Sequence, residues 1–107
     1  MVKVILLFKK DQLIGFEMLG HANFDDYGKD IVCASVSVLA INTVNSIETF
    51  TKDVFDCTVR EKDGFIRFQL ISNISEESKL LLSAFNLGIQ GINQQYCNNI
   101  DILNEEV

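Results

Sequence analysis

The sequence predicts an α+β fold, an antiparallel-rich sheet with two helices packed as a ββαββαβ sandwich. Two pairs of short segments alternate apolar and polar residues, which is typical of β-hairpins. A longer segment of helical character follows each pair, and one more alternating segment comes near the end. Strand pairs separated by helices are typical of folds in which the helices pack on one sheet. We therefore expect a helix layer and a sheet layer around one core.

The composition indicates one domain over residues 1–107. Hydrophobic residues make up 48% of the chain and charged residues 22%, which favours a packed globule over disorder. A net charge of -6, with Lys9-Lys10 as the only basic pair, disfavours direct binding to nucleic acid. No leader-like segment is evident, and the most apolar window, residues 31–41, is too short for a bilayer. We therefore expect a cytoplasmic protein without a membrane partner.

The first two strands are predicted to form a hairpin. Residues 2–8 are an apolar, β-branched run, residues 9–12 are polar turn material, and residues 13–19 alternate. One face of the second strand carries the apolar side chains Ile14, Phe16 and Met18. His21 follows directly after this hairpin.

The first helix is predicted over residues 31–50. No glycine or proline interrupts these twenty residues, which is too long a stretch for a strand. Asp30 precedes them as the candidate N-cap. The segment is so apolar that we expect a largely buried helix.

The remaining segments predict a second hairpin, a second helix and a last strand. Residues 55–59 and 66–70 alternate on either side of Asp63-Gly64, a hairpin turn sequence. Ser75 is the candidate cap of the second helix. The expected core stripe of that helix is Leu81, Phe85, Gly88 and Ile92. Residues 96–103 are the expected last strand and residues 104–107 a short acidic tail.

The three cysteines, Cys33, Cys57 and Cys97, do not suggest a disulfide framework or a metal site. Their number is odd and no two of them are close in sequence. A structural zinc site usually takes two ligands from one short C-x-x-C turn, which this sequence lacks. We expect no metal and no cofactor, and we expect Cys57 and Cys97 to be structural residues in apolar surroundings.

His21 and Cys33 are the candidate catalytic pair. With Asp30 as N-cap, Cys33 occupies the third helical position, where free backbone N–H groups and the helix dipole favour a thiolate. N–H groups near Cys33 and Ala34 would hold the oxyanion formed when the sulfur attacks a carbonyl. The loop 22–29 would carry His21 over the helix start, where it takes the thiol proton.

Each of these residues also has a structural interpretation. A lone cysteine and a lone histidine are often core residues, and their spacing alone does not distinguish core packing from catalysis. Asp30 either caps the helix or orients His21 as the third member of a triad. Ser37, one turn after Cys33, either packs in the core or donates a hydrogen bond to a substrate.

The residues around this pair resemble the signature of the bacterial ribosomal-processing cysteine proteases, the Prp family. The matching segments are GHA at 20–22, Gly28, DIVCA at 30–34 and VSVL at 36–39. The resemblance implies that His21 and Cys33 are the catalytic dyad. It also implies that further residues line the substrate-binding site, namely Gly20, Asp30, Ala34 and Ser37. Ser35 departs from the family, which often has alanine there.

The resemblance further implies what the protein acts on. Members of this family remove a short N-terminal extension from a large-subunit ribosomal protein, cutting after an aromatic pair and before a small residue and a basic stretch. They form homodimers. The alternative is a non-catalytic, dimeric binding module of ribosome assembly in which Cys33 is structural.

Overall fold

The computed structural model of the chain describes residues 1–20 and 27–107, apart from the side chains of residues 27–30 and of residue 72. The predictions on His21 and on residues 22–26 of the loop after it lie outside the described residues, whereas residues 27–29, which were also predicted as loop, form the start of the first helix. The elements are β1 (Val2–Lys9), β2 (Gln12–Leu19), α1 (Tyr27–Phe50), β3 (Val54–Arg60), β4 (Phe65–Ser72), α2 (Glu76–Gln95) and β5 (Ile100–Glu106). A single 3₁₀ turn, Glu61–Asp63, joins β3 to β4. The predicted ββαββαβ order is confirmed.

The strands form one five-stranded sheet in the order β3-β4-β2-β1-β5. All neighbours are antiparallel except β1 and β5, which run parallel. Phe16 of β2 lies opposite Leu6 of β1 on one side and Phe68 of β4 on the other. β3 and β5 are therefore the edge strands.

The core lies between the sheet and the two helices. The ring of Phe16 stacks on Phe85 of α2 with 4.1 Å between ring centroids, and on Phe68 with 5.5 Å. The buried face of α1 consists of Val32, Val36, Ala40, Thr43 and Ile47, at helical spacing. The two helices pack side by side and both contact β2, so they cover the same face of the sheet.

The first helix is more apolar than its buried face requires. Residues Ile31–Phe50 have a mean hydropathy of 1.5 and are long enough to cross a membrane, so the apolar segment is longer than the window expected from the sequence. In this fold the helix packs against the sheet and α2. Its outer side still carries Val38 and Ile41, which are 66% and 50% exposed. The outer side of the helix is therefore partly apolar.

Two element boundaries and the phase of one buried stripe differ from those predicted. The first helix begins at Tyr27 rather than after Asp30, because no proline stops the helix and Gly28 is tolerated within it. The last strand continues to Glu106, since pairing with β1 supplies hydrogen bonds and the exposed edge accepts charged side chains. The second helix buries Ser78, Leu82, Phe85 and Ile89. Leu81, Gly88 and Ile92 are only half-buried, so the predicted stripe was about one residue out of phase.

Candidate active site

Cys33 lies in the second turn of α1, at the seventh residue of a helix that begins at Tyr27. Its side chain is half-buried and packs against the edge of the core. An α-helix leaves only its first four N–H groups without an acceptor within the helix, and the amides of Cys33 and Ala34 come after these four. The prediction that Cys33 occupies the third helical position, with free amides beside it, is therefore wrong. An oxyanion held at this sulfur needs donors from another segment.

Gly20, at the end of β2, lies directly against the thiol of Cys33. A Cβ atom at Gly20 would lie only 2.8 Å from the Cys33 sulfur and 3.2 Å from Cε of Met18. A side chain at this position would force the thiol or the end of Met18 to move, so glycine lets the strand end approach the sulfur. The predicted site residues Gly20 and Cys33 are thus in contact, and His21 is the next residue in the sequence.

Gly64, in the turn between β3 and β4, supports Gly20 from the other side. The amide of Gly20 donates a hydrogen bond to the carbonyl of Gly64 over 3.0 Å. Gly64 has a φ of 63°, and a Cβ there would lie 2.5 Å from the Gly20 oxygen. The sequence indicated Gly64 only as a turn residue, because nothing in a linear pattern pairs it with Gly20. The turn therefore contacts the end of β2, and the end of β2 contacts the thiol on α1.

Ser37 lies one turn after Cys33 and is half-buried. Its hydroxyl donates to the sulfur of Met18 over 3.7 Å. A thioether is a weak acceptor, so the hydroxyl can turn to a stronger acceptor such as a peptide carbonyl. Ala34 is exposed beside Cys33 and leaves space for a substrate backbone. The roles of Ser37 and Ala34 in substrate binding stay predictions.

Asp30 does not cap the helix. The first helix begins three residues earlier, so Asp30 lies within its first turns and the N-cap interpretation is wrong. An N-cap must have non-helical backbone, and the helix backbone already includes Asp30. The side chain of Asp30 is outside the described part of the chain, and its role in orienting His21 or binding substrate stays a prediction.

Cys57 and Cys97 are exposed, free cysteines, which corrects the expectation of apolar surroundings for both. Cys57 lies on the edge strand β3, which α1 only partly covers, and Cys97 follows α2. Partial burial of the Cys57 thiol raises its pKa, and the negative charge of Glu48 raises that pKa further. Neither cysteine lies with Gly20 and Gly64 at the candidate site.

An apolar groove runs from the candidate site along α1, between that helix and the β3–β4 hairpin. It consists of two adjoining cavities of about 220 and 110 Å³. Both cavities share the apolar walls Ile41, Val59 and Ile66. The larger cavity also reaches Ser37 and Gly64, and the smaller one reaches Asn45 and Cys57. We refer to the two cavities together as the α1–β3 groove.

Comparison with known proteins gives a consistent result. The chain matches the family described as "Cysteine protease Prp" over residues 1–101. It is 31% identical to the ribosomal processing cysteine protease Prp of Staphylococcus aureus over 83 residues, 78% of each chain. It is 27% identical to the Bacillus subtilis protein of the same name over 94 residues, 84% of each chain.

Solved structures have the same fold. A crystal structure of the ribosomal processing protease Prp from S. aureus, in complex with a substrate peptide, matches with a TM-score of 0.90 at 25% identity. That match covers 98% of this chain and 100% of the other. The S. aureus protease with a covalently linked product peptide matches with a TM-score of 0.85 at 26% identity, over the same shares of the two chains. SMU.848 from Streptococcus mutans matches with a TM-score of 0.84 at 31% identity, over 100% of this chain and 96% of the other.

Proposed function

Since the chain belongs to the Prp family of cysteine proteases, we propose that it removes a short N-terminal extension from a large-subunit ribosomal protein. The cut follows an aromatic pair and precedes a small residue and a basic stretch. Cys33 is the nucleophile and His21 the general base of a Cys-His dyad. The substrate-binding residues are Gly20, Asp30, Ala34 and Ser37.

The observation that carries this proposal is the contact between Gly20 and the Cys33 thiol. A Cβ at Gly20 would lie only 2.8 Å from the sulfur, so the backbone of Gly20 packs directly against the thiol. The candidate base, His21, is bonded to Gly20. The residue next to the candidate base therefore contacts the candidate nucleophile. Two unrelated core residues would not need such a contact.

The proposed reaction is a two-step acyl transfer. His21 takes the proton from the Cys33 thiol as the sulfur attacks the peptide carbonyl and forms a carbon–sulfur bond. The carbon–nitrogen bond then breaks, and His21 gives the proton to the leaving amine. Water, deprotonated by His21, hydrolyses the thioester and restores the thiol. A covalently linked product peptide in the related S. aureus protease supports an intermediate of this kind.

The charge of the protein favours a basic substrate. Fifteen acidic residues against nine basic ones give a net charge of -6. Long-range attraction between an acidic enzyme and a basic segment raises the rate of encounter, and salt screens it. The proposed cut before a basic stretch is consistent with this charge. A ribosomal protein would meet the enzyme in the cytoplasm, the proposed location.

We also propose that the protein is a homodimer. The second helix exposes Leu80 and Leu87, which are 71% and 76% accessible and lie seven residues apart on one side of the helix. A second copy would cover such a face. Light scattering after size-exclusion chromatography measures the mass of the particle, and a monomer at tens of micromolar concentration would contradict this part of the proposal.

The test is direct cleavage of a peptide. A synthetic peptide with two phenylalanines followed by alanine and a lysine-rich stretch is incubated with the wild-type protein, and the products are weighed by mass spectrometry. We expect one cut after the second phenylalanine. Binding of the peptide without any cleavage by the wild-type protein would favour the non-catalytic binding module instead.

A further inference from the structure

Met18 of β2 extends beneath the candidate active site. Its side chain is fully buried, and its register neighbours on the two flanking strands are the buried residues Val4 of β1 and Ile66 of β4. Neighbours of this kind hold the stem of a side chain, because cross-strand pairs pack against each other on one face of a sheet. The thioether at the end of Met18 reaches α1, where it accepts a hydrogen bond from Ser37.

The thioether of Met18 lies beside the thiol of Cys33. A Cβ atom at Gly20 would lie 3.2 Å from Cε of Met18 and 2.8 Å from the Cys33 sulfur, so both atoms border the same small space. On the other side, the sulfur of Met18 is 3.7 Å from the Ser37 hydroxyl, one helical turn after Cys33. Cys33 itself packs against the core cluster that contains Met18. The end of Met18 is therefore part of the core side of the candidate site.

Methionine suits this position because its side chain is long and unbranched. A leucine side chain ends one atom earlier and would leave a gap of about one methyl group where the Met18 Cε lies. A cysteine side chain has three staggered rotamers, so a thiol beside such a gap gains a second direction in which to point. A filled core side leaves the thiol directed toward solvent.

We infer that Met18 is a positioning residue for the Cys33 thiol: its thioether end fills the core side of the site and keeps the sulfur directed outward, where a substrate and a base can reach it. The inference rests on the proposed function, in which Cys33 is the nucleophile. Misplacing a reacting group by about 1 Å costs up to about a hundredfold in rate, so a residue that never touches the substrate can control turnover. The role belongs to the shape of the side chain, because a thioether is only a weak hydrogen-bond acceptor for Ser37.

Two changes at position 18 separate the shape of the side chain from its sulfur. Met18→Leu shortens the side chain, whereas norleucine keeps its length and replaces the sulfur by a methylene group. The chain contains only two methionines, Met1 and Met18, so biosynthetic replacement of methionine by norleucine changes one internal residue. The Met18→Leu protein made in the same way carries norleucine only at position 1 and controls for that position.

Leu82→Val is the control for a general loss of core packing. Leu82 is fully buried, as Met18 is, and lies in the half of α2 whose N-cap contacts Asp53, just after the end of α1. It therefore lies toward the far end of α1 from Cys33. For each protein we measure Tm, kcat and KM for the peptide of the proposed function, and the rate at which iodoacetamide alkylates Cys33 relative to the exposed Cys97.

We expect Met18→Leu to lower kcat at least about tenfold, to change KM less than about threefold, and to slow the alkylation of Cys33 by a factor similar to that in kcat. Norleucine, the conservative replacement, should keep both rates within about threefold of the wild type. Leu82→Val should lower Tm and leave both rates unchanged. Wild-type rates in Met18→Leu, or equal losses in Leu82→Val, would overturn the inference. A norleucine protein as slow as Met18→Leu would assign the effect to the sulfur and overturn the role of shape.

Alkylation separates this inference from the proposed function, because it needs no substrate. If the wild type cleaves no peptide, the proposed function fails, and the labelling rate of Cys33 still tests Met18. Slower labelling of Cys33 in Met18→Leu than in Leu82→Val, with equal labelling of Cys97, supports the positioning role. Equal or faster labelling of Cys33 in Met18→Leu overturns it.

Discussion

Gly20 donates its amide hydrogen to the carbonyl of Gly64 over 3.0 Å, and each glycine leaves room for a contact that a side chain would block. Gly64 lies against the backbone of Gly20, and Gly20 lies against the sulfur of Cys33. The turn between β3 and β4 therefore determines how closely the end of β2 approaches the thiol. This chain of contacts joins a hairpin turn to the residue that precedes His21.

Gly64→Ala is expected to lower both stability and activity. An alanine with left-handed backbone costs about 1–2 kcal/mol, and its Cβ would lie 2.5 Å from the Gly20 oxygen. For a domain of this size each kcal/mol lowers Tm by roughly 4–8 °C. We expect kcat/KM to fall at least tenfold at a temperature where the variant is still folded, because the end of β2 moves relative to the sulfur.

Gly91→Ala is the control for this substitution. A Cβ at Gly91 meets nothing within 4 Å, and the residue lies in α2. Alanine in a helix is favoured over glycine by about 0.5–1 kcal/mol, so Tm should rise slightly and activity should not change. A Gly64→Ala enzyme with wild-type kcat/KM would show that the turn does not position Gly20.

Cys33→Ala is expected to abolish peptide cleavage and to leave the fold intact. Alanine keeps helix propensity and removes only the nucleophile from a half-buried position. Cys97→Ala is the matched control, because Cys97 is exposed and lies away from the candidate site. It should keep both kcat/KM and Tm, which circular dichroism and the peptide assay measure. Cleavage above background by Cys33→Ala would show that Cys33 is not the nucleophile.

Local signals predicted most of the fold. Alternating apolar residues located the strands, the Asp63-Gly64 turn joined β3 to β4, and Ser75 caps α2 by accepting a hydrogen bond from the amide of Ser78. These features depend on residues a few positions apart, so a linear pattern contains them. The helix start at Tyr27 was missed because Asp30 is a good N-cap residue but tertiary context lets the helix begin earlier.

Long-range contacts could not be predicted in the same way. The approach of Gly64 to Gly20 joins residues 44 positions apart, and no spacing rule connects them. The exposure of Cys57 follows from the position of β3 at the sheet edge, and the sequence alternation suggested an inward face instead. The α1–β3 groove likewise arises from incomplete cover of β3 by α1. Each of these depends on strand order, which the sequence does not contain in any local pattern.

Asp53 is expected to stabilise the fold less at low pH. Its carboxylate accepts hydrogen bonds from the Ser75 amide and hydroxyl over 2.9 and 2.7 Å. The Ser78 hydroxyl, followed by these two Ser75 groups, lowers the pKa of Asp53 below its ordinary 3.8. A depressed pKa contributes stability that is present above 3.8 and is lost as the pH falls through the folded value.

Asp53→Asn should therefore be less stable than the wild type at neutral pH, and the difference in unfolding free energy should shrink below about pH 4. Urea denaturation over a pH series measures this difference. Asp56→Asn, on the exposed strand β3, is the matched control for the loss of one carboxylate. If the difference in unfolding free energy between the wild type and Asp53→Asn stays constant down to about pH 2.5, the carboxylate of Asp53 does not contribute stability in this way.

Cys33 is expected to be alkylated at lower pH than Cys57. Burial and the charge of Glu48 raise the pKa of Cys57, so its thiol stays protonated and reacts slowly near neutral pH. Cys33 lies in the second turn of α1. The favourable effect of a helix N-terminus on a negative charge fades after the first turn. In the proposed dyad, the reactivity of Cys33 comes from proton transfer to His21.

His21→Ala should therefore move the alkylation of Cys33 to higher pH and leave the exposed Cys97 unchanged. Brief iodoacetamide treatment at a series of pH values from roughly 5 to 9, followed by peptide mapping, measures all three cysteines in one sample. Cys97 serves as the internal reference for an accessible thiol. A nucleophilic thiol needs a base that takes its proton. The dyad would therefore be contradicted if His21→Ala did not change the pH dependence of Cys33 alkylation. Equal labelling of Cys33 and Cys57 across the series would contradict it as well.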